Sequence, residues 1–219
     1  MTKSKKYTLE SSVAKVFKGK HSDNTLSGKS KSVLTSMAND TFQKIADAAR
    51  ELLISAKRVT LMSGDIEAAV KLVYAGTDLV NKAISCGTKA VTKLTSGTDG
   101  ARTRSQAKKT PQKRESKTVK AGLIFPVTRV TELLKKSGFK RVSPGAGAYL
   151  AAVIQCIVSE VSNDAVNEGV QLGKSRLQNS HVGRAIKLDE DLNRVYGKVT
   201  IASSGVVALT KEELDAMYN

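Results

Sequence analysis

The sequence contains no tryptophan, and aromatic residues make up only 4% of its 219 residues. Hydrophobic residues nevertheless account for 40% of the chain, so its core must be built mainly from aliphatic side chains. The length suffices for one large domain or two small ones. We find neither a long apolar span nor a basic amphipathic helix with aromatic anchors, two common means of holding a protein at a membrane. No membrane partner is therefore expected.

Cysteine and histidine are also scarce, with two of each. Cys86 and Cys156 are too few for a disulfide framework and indicate a reducing compartment, and free cysteines of this kind are usually buried. His21 and His181 lack the cysteine or carboxylate spacing of a zinc site or a catalytic triad. The two glycines within 145–147 do not match a phosphate-binding motif. The sequence thus predicts no enzyme, no catalytic residue, no bound metal and no cofactor.

Negative charge is in short supply: 36 Lys and Arg residues face 20 Asp and Glu residues, which gives a net charge of +16. Such a field implies a polyanionic partner, and with a membrane disfavoured, nucleic acid is the leading candidate. The stretch "GARTRSQAKKTPQKRESKTVKAG" (100–122) carries eight Lys or Arg residues, one Glu and no aromatic residue. It has the composition of a basic tail, yet it lies near the middle of the chain.

The segments on either side of this stretch are predicted to be helical. Apolar residues at three- and four-residue spacing over 33–56 predict a helix of about 28 residues, roughly 40 Å long, with Ser27 as its N-cap. The same spacing over 150–170 predicts a second long helix. Shorter helices are predicted around each, including one over 78–94 and a last one begun by Asp189.

The two segments form an internal repeat. A shift of 116 residues places Leu34 on Leu150 and Ala49 on Ala165, and the order of short, long and short helices is the same in both. A helix of this length with short neighbours cannot bury its apolar stripe alone, whereas two such units clasped together can. We therefore expect an all-α pair in which the loop after the first helix of one unit lies beside the loop after the long helix of the other.

Four motifs give the repeat a family resemblance. "AGLIFPVTRVTELLKKSGF" (121–139) and "GKVTIA" (197–202) resemble the type-2A core histones, while "KHSDNTLSGKS" (20–30) and "GTKAVTK" (87–93) resemble the type-2B histones. A type-2B histone fused ahead of a type-2A histone resembles the histone doublets encoded by some giant DNA viruses. The resemblance implies two histone folds paired as an intramolecular heterodimer, the handshake arrangement, and joined by a basic flexible linker.

The resemblance and the composition together predict five segments. These are a short basic tail (1–8), a type-2B-like histone fold with a C-terminal helix (9–96), the basic linker (97–120), a type-2A-like histone fold (121–206) and a divergent C-terminal segment (207–219). Taken as flexible, the linker would span roughly 27 Å, enough to join neighbouring chain ends within one dimer. Thr210 and Glu213 resemble a capping box that would begin a short helix in the last segment.

As to function, the resemblance implies a structural chromatin protein that wraps double-stranded DNA in nucleosome-like particles with type-3 and type-4 histones, separate or themselves fused. Such binding relies on phosphates and the minor groove and does not read sequence. Glu132 departs from the family, which has an Arg at that position. The residues expected to contact DNA are Arg58, Lys57, Thr60, Ser27, Lys29, Arg129, Arg141, Lys174, Ser175 and Arg176.

The family also presents an acidic patch that takes arginine anchors from other chromatin proteins. The residues that match it here are Glu160, Asp189, Glu190 and Asp191. Gln155, Asn163 and Cys86 stand where the family has Glu, so arginine docking should be weakened. An equally open interpretation is that the acidic residues at 189–191 simply cap a helix.

A second function remains open, because paired histone folds also occur in transcription regulators. A regulator that forms no wrapped particle would need side chains placed on base edges, and no segment indicates any. No apolar run near Met1 resembles a secretory signal, so an intracellular protein is expected. The resemblance implies the host nucleus, a viral factory or the virion as its location.

Overall fold

The computed structural model describes residues 9–99, 115–197, 199 and 201. We call residues 9–99 the first half and the described residues from 115 onward the second half. In chain order the elements are α1 (Glu10–Lys20), β1 (Thr25–Leu26), α2 (Gly28–Ser55), β2 (Thr60–Leu61), α3 (Ser63–Val73), α4 (Leu79–Asp99), α5 (Lys117–Lys120), α6 (Val127–Lys136), β3 (Arg141–Val142), α7 (Pro144–Gln171), β4 (Arg176–Leu177), α8 (Asn179–Leu188) and α9 (Glu190–Tyr196).

The two long helices confirm the repeat and its period. Helices α2 and α7 each have 28 residues, and α7, α8, β3 and β4 begin 116 residues after α2, α3, β1 and β2 respectively. Ser27 caps α2 as expected, since its Oγ accepts a hydrogen bond of 3.1 Å from the Ser30 amide. Ser143 does the same for α7, accepting from the Ala146 amide at 3.1 Å. Each side chain satisfies one of the amides that a helix start leaves without an internal partner.

Two short parallel strand pairs bind the halves to each other. Strand β1 pairs with β4, with Thr25 opposite Arg176, and β2 pairs with β3, with Thr60 opposite Arg141. These are the loop pairs that the sequence predicted to lie side by side. Their strand geometry was not predicted, because two residues are too few to give a period-two pattern.

Helix α7 lies at the centre of the core. Its side chains at Leu150, Ile154, Ile157 and Val161 are buried against helices of both halves. The sequence prediction overlooked that α7 is long and apolar enough to cross a membrane, but 78% of its most apolar window is buried inside the protein, as in the core helix of a folded domain.

Helix α4 packs tightly against α7 at Gly87. A Cβ atom at Gly87 would lie 2.5 Å from the ring of Tyr149, a residue that is almost fully buried. Glycine is therefore needed here for the two backbones to approach, and it fixes how the last helix of the first half sits on the second half.

Both ends of the predicted flexible linker (97–120) prove helical. Helix α4 continues to Asp99 instead of ending near Leu94, and Leu94 itself is buried. Ser116 caps the single turn of α5 through the amide of Val119. The linker residues between, the basic tail 1–8 and the C-terminal segment with its predicted capping box lie outside the described residues.

Candidate nucleic-acid interface

The β1–β4 pair gathers five of the predicted DNA-binding residues into a first basic edge: Ser27, Lys29, Lys174, Ser175 and Arg176. Hydrogen bonds of 3.1 Å hold the two loops together, from the Thr25 amide to the Ser175 carbonyl and from the Ser27 amide to the Leu177 carbonyl. Lys29, Lys174 and Arg176 are exposed. Helices α2 and α8 both begin here, and a groove of about 480 Å³ between their N-termini is lined by Lys29 and Arg176.

The β2–β3 pair forms a second basic edge from Lys57, Arg58, Thr60 and Arg141. The Ser143 amide donates to the Leu61 carbonyl at 3.0 Å, which ties the start of α7 to the loop before α3. Lys57 has a φ of 51°, the left-handed conformation that often terminates a helix, and it turns the chain from α2 into β2. Helices α3 and α7 therefore begin side by side at this edge.

Arg58 is held in place by a residue that the sequence analysis missed. Its guanidinium binds the carboxylate of Asp65, which is only 5% exposed, while the other oxygen of Asp65 accepts from the Met62 amide at 2.8 Å. Asp65 thus caps α3 and orients Arg58 at once. An acidic residue in the first helical turn was the available signal, since such residues favour the amides of a helix start.

Arg129 is the one predicted DNA-binding residue on neither edge. It lies half-buried in the first turn of α6. Two further basic residues near the second edge were missed. Lys140 is exposed beside Arg141, and Arg50 donates to the Ser137 carbonyl while its guanidinium lies 5.7 Å from the centre of the Phe139 ring. Arg50 therefore fastens α2 to the loop before β3.

The long helices set the distance between the two edges. Helix α2 begins at the first edge and ends at the second, whereas α7 begins at the second and ends at the first. At 1.5 Å per residue, 28 residues span about 42 Å. Each edge thus combines exposed cations with two helix N-termini, whose unpaired amides and partial positive charge favour an anion.

Three of the four predicted acidic-patch residues have polar partners within the protein. Asp189 caps α9, accepting from the Leu192 amide at 2.7 Å, and Asp191 accepts from the Asp78 amide at 2.8 Å. Glu160 lies 3.4 Å from the ammonium group of Lys82 and raises its pKa, while Glu190 is exposed. The capping interpretation of these residues is therefore confirmed for Asp189.

Asp164 completes this cluster and was missed in the sequence. Burial raises its pKa, and the nearby carboxylates of Asp189 and Glu160 raise it further. Its position four residues after Glu160, one turn along α7, could have identified it. Next to the cluster lies a cleft of about 490 Å³, and its lining includes Lys20, Lys82, Lys89, Lys93, Cys86 and Cys156. The surface that matches the family's acidic patch thus carries mixed charge.

The cysteine and histidine residues also have defined positions in the structure. Cys86 and Cys156 were expected to be buried, but both are only half-buried because they face this cleft. His181 is buried, and burial lowers its pKa, so it packs in the core as a neutral ring. His21 shares a hydrogen bond of 3.0 Å with Asn163. Within the described ranges, no group of three or more His, Cys, Asp or Glu side chains could hold a metal ion.

Comparison with known proteins agrees with this architecture. Residues 3–72 match the family model of the core histone domain, which covers the type-2A, type-2B, type-3 and type-4 histones. A type-2A histone from Chlamydomonas reinhardtii is 41% identical over 105 residues, which cover 48% of this chain and 81% of that protein. The crystal structure of the histone from Methanopyrus kandleri superposes with a TM-score of 0.53 at 17% identity, over 82% of this chain and 93% of that chain, a likeness of fold alone. The chain belongs to the core histone family.

Proposed function

We propose that this chain is a chromatin protein in which two histone folds pair within one polypeptide and package double-stranded DNA without reading its sequence. The observation that carries the proposal is the pair of basic edges, each with two helix N-termini, about 42 Å apart. One turn of duplex DNA measures roughly 34–36 Å, so successive inward-facing minor grooves of a bent duplex would meet the two edges in turn.

The side chains of the edges suit phosphates better than bases. Serine, threonine and lysine bind phosphate oxygens, and paired helix starts add backbone amides. Arg58 suits insertion into a narrow minor groove, because its contact with Asp65 fixes its direction before DNA arrives. That same carboxylate offsets part of its charge, so its contribution would come from positioning more than from net attraction.

The covalent linker would make the pairing obligatory. Two separate chains lose translational freedom when they associate, whereas a linker of this length keeps the partner fold at an effective concentration in the millimolar range. The extensive contacts between the halves, from both strand pairs to the packing of α4 on α7, support pairing within the chain. The stoichiometry of the two folds would then be fixed at one to one.

Nucleosome-like wrapping with type-3 and type-4 histone partners is the finer part of this proposal. It rests on the likeness to a type-2A histone and on the family motifs in the sequence. The nucleus is the corresponding location, with the viral factory and virion following only from the doublet resemblance. Arginine-anchored partners would dock weakly, because lysines surround Glu160 and two of the four matching carboxylates already accept hydrogen bonds.

Competition between DNA sequences tests the packaging proposal against the regulator alternative. A labelled random duplex is bound at fixed salt and displaced by unlabelled duplexes of different sequence, including pools selected by repeated binding. Packaging predicts that all duplexes of one length compete within a few fold. A selected sequence that competes a thousandfold better would favour a regulator, because specific sites are typically that much tighter than non-specific DNA.

A further inference from the structure

Cys86 and Cys156 bring a pair of sulfur atoms together across the contact between the two halves. Cys86 lies on α4 of the first half and Cys156 on α7 of the second, and their Sγ atoms are 2.9 Å apart. A disulfide bond measures about 2.05 Å, so the sulfurs need to approach by only about 0.9 Å to be bonded. Cys86 adjoins Gly87, where α4 packs tightly against the Tyr149 ring of α7.

The pair is accessible to a small reagent. Both residues are half-buried and line the cleft of about 490 Å³, together with Lys20 and Lys89. These side chains are cationic, which favours both a thiolate and the approach of an anionic disulfide such as oxidised glutathione. Both cysteines line a cleft open to solvent, unlike buried structural cysteines, which are inert.

The protonation of the pair suits thiol–disulfide exchange. The hydrogen bond between the two sulfurs lowers the pKa of Cys86 to about 7, with Lys89 and Lys20 acting in the same direction and burial and Glu160 opposing them. The same interaction and burial raise the pKa of Cys156. Cys86 is thus the attacking thiolate near neutral pH, and Cys156 holds the proton until the second step.

We propose that Cys86 and Cys156 form a reversible disulfide that joins the two halves covalently when the chain meets a low-molecular-weight disulfide. The Cys86 thiolate attacks one sulfur of the reagent, which gives a mixed disulfide and releases one thiolate. That thiolate takes the proton of Cys156, whose sulfur then attacks Cys86 Sγ and releases the second half of the reagent as a thiolate, which takes a proton from water. The two cysteines are oxidised, and one external disulfide is reduced to two thiols.

The bond would reinforce the pairing of the halves near the middle of α7, between the two basic edges. Closing a loop from residue 86 to residue 156 restricts the unfolded chain, and a loop of this length gives a substantial effect when the native geometry is unstrained. We expect the midpoint of thermal unfolding to rise by roughly 5–15 °C on oxidation. The reaction needs no DNA, so its outcome is independent of the proposed packaging function.

The test exposes the full chain to excess oxidised glutathione near pH 7.5. Remaining thiols are alkylated, the chain is digested without reductant, and the peptides are identified by mass spectrometry. We expect both thiols to be lost, the chain to become lighter by two hydrogen atoms, and the peptides with Cys86 and Cys156 to stay joined until dithiothreitol is added. The midpoint of thermal unfolding should rise when the disulfide forms and return to its original value when dithiothreitol reduces it.

Two variants make the result specific. Cys86→Ser leaves one thiol, which should take up glutathione and produce no thermal stabilisation. Cys86→Ser combined with Ser96→Cys keeps two thiols but moves one to an exposed site further along α4, and it should form the internal bond at least tenfold more slowly. The proposal is overturned if the wild-type chain keeps both thiols, stops at mixed disulfides, links mainly between chains, or reacts no faster than the relocated pair.

Discussion

At the scale of the residue, the expected DNA contacts depend on a few exposed cations held by local structure. Arg176 and Arg141 stand on strands that face the other half, and Arg58 is directed by Asp65. The sequence predicted the arginines because they fall in loops that resemble the DNA-binding loops of the core histones. It did not reveal Asp65, whose partner seven residues earlier becomes adjacent only after α2 ends and the chain turns at Lys57.

Replacing Arg176 with Ala should weaken binding to any duplex DNA and reduce the slope of log K against log salt by about 1, because one phosphate contact and its released counterion are lost. The measurement is a titration of random duplex at several salt concentrations. Lys187→Ala removes the same charge from an exposed position near the end of α8, away from its N-terminus, and should leave the slope nearly unchanged. Equal effects of the two variants would argue that only net charge matters.

At the scale of the element, helix starts were predictable from periodicity and caps, whereas individual side-chain contacts between helices were not. Ser27 and Asp189 marked the starts of α2 and α9, and the structure places both as N-caps. The end of α4 was missed because residues 95–99 are small and polar and give no apolar spacing to follow. Similarly, Asp164 joins the acidic cluster because α7 packs beside α8, and α8 ends at Asp189.

Gly87→Ala should destabilise the chain by about 1–3 kcal/mol, because the new methyl group would overlap the buried ring of Tyr149 and push α4 away from α7. Urea denaturation of the reduced protein measures the change. Gly64→Ala is the matched control: no atom lies within 4 Å of its added Cβ, so it should be neutral or stabilise by up to about 1 kcal/mol. A neutral Gly87→Ala would contradict the packing described for these helices.

A buried hydroxyl chain joins three further elements across the halves. Tyr196 of α9 lies 2.6 Å from the Thr41 hydroxyl of α2 and 3.0 Å from the hydroxyl of Tyr74, which ends α3. Tyr196→Phe should cost about 1–2 kcal/mol, since it leaves neighbouring hydroxyls with fewer partners in the core. Urea denaturation near pH 8 tests this value, and an unchanged free energy of unfolding would mean that the chain of hydroxyls adds no stability.

The raised pKa values of Tyr74 and Tyr196 predict that the folded protein loses stability at alkaline pH. Burial raises the pKa of Tyr74 and Tyr196, so the folded chain keeps protons that the unfolded chain loses above its ordinary tyrosine pKa of about 10. Their contribution is complete below pH 10 and declines as the pH rises beyond it. In Tyr196→Phe the decline per pH unit should be smaller by up to about 1.4 kcal/mol, measured by urea denaturation between pH 10 and 12.

At the scale of the whole molecule, two repeated units share one core and present two basic edges. The repeat period of 116 residues followed from the sequence, as did the pairing of the two units, because a long amphipathic helix must find a partner for its apolar stripe. The separation of the edges then follows from the length of α2 and α7. Because both units belong to one chain, the two basic edges lie on the same folded molecule.

The most direct test of DNA packaging is nuclease digestion of the chain assembled on random DNA with type-3 and type-4 histone partners. Wrapping predicts a discrete protected fragment, which Arg141→Ala with Arg176→Ala should shorten or abolish while Lys71→Ala with Lys187→Ala should not. A continuous smear of fragments, in spite of tight and salt-sensitive binding, would contradict wrapping and leave a histone that coats DNA.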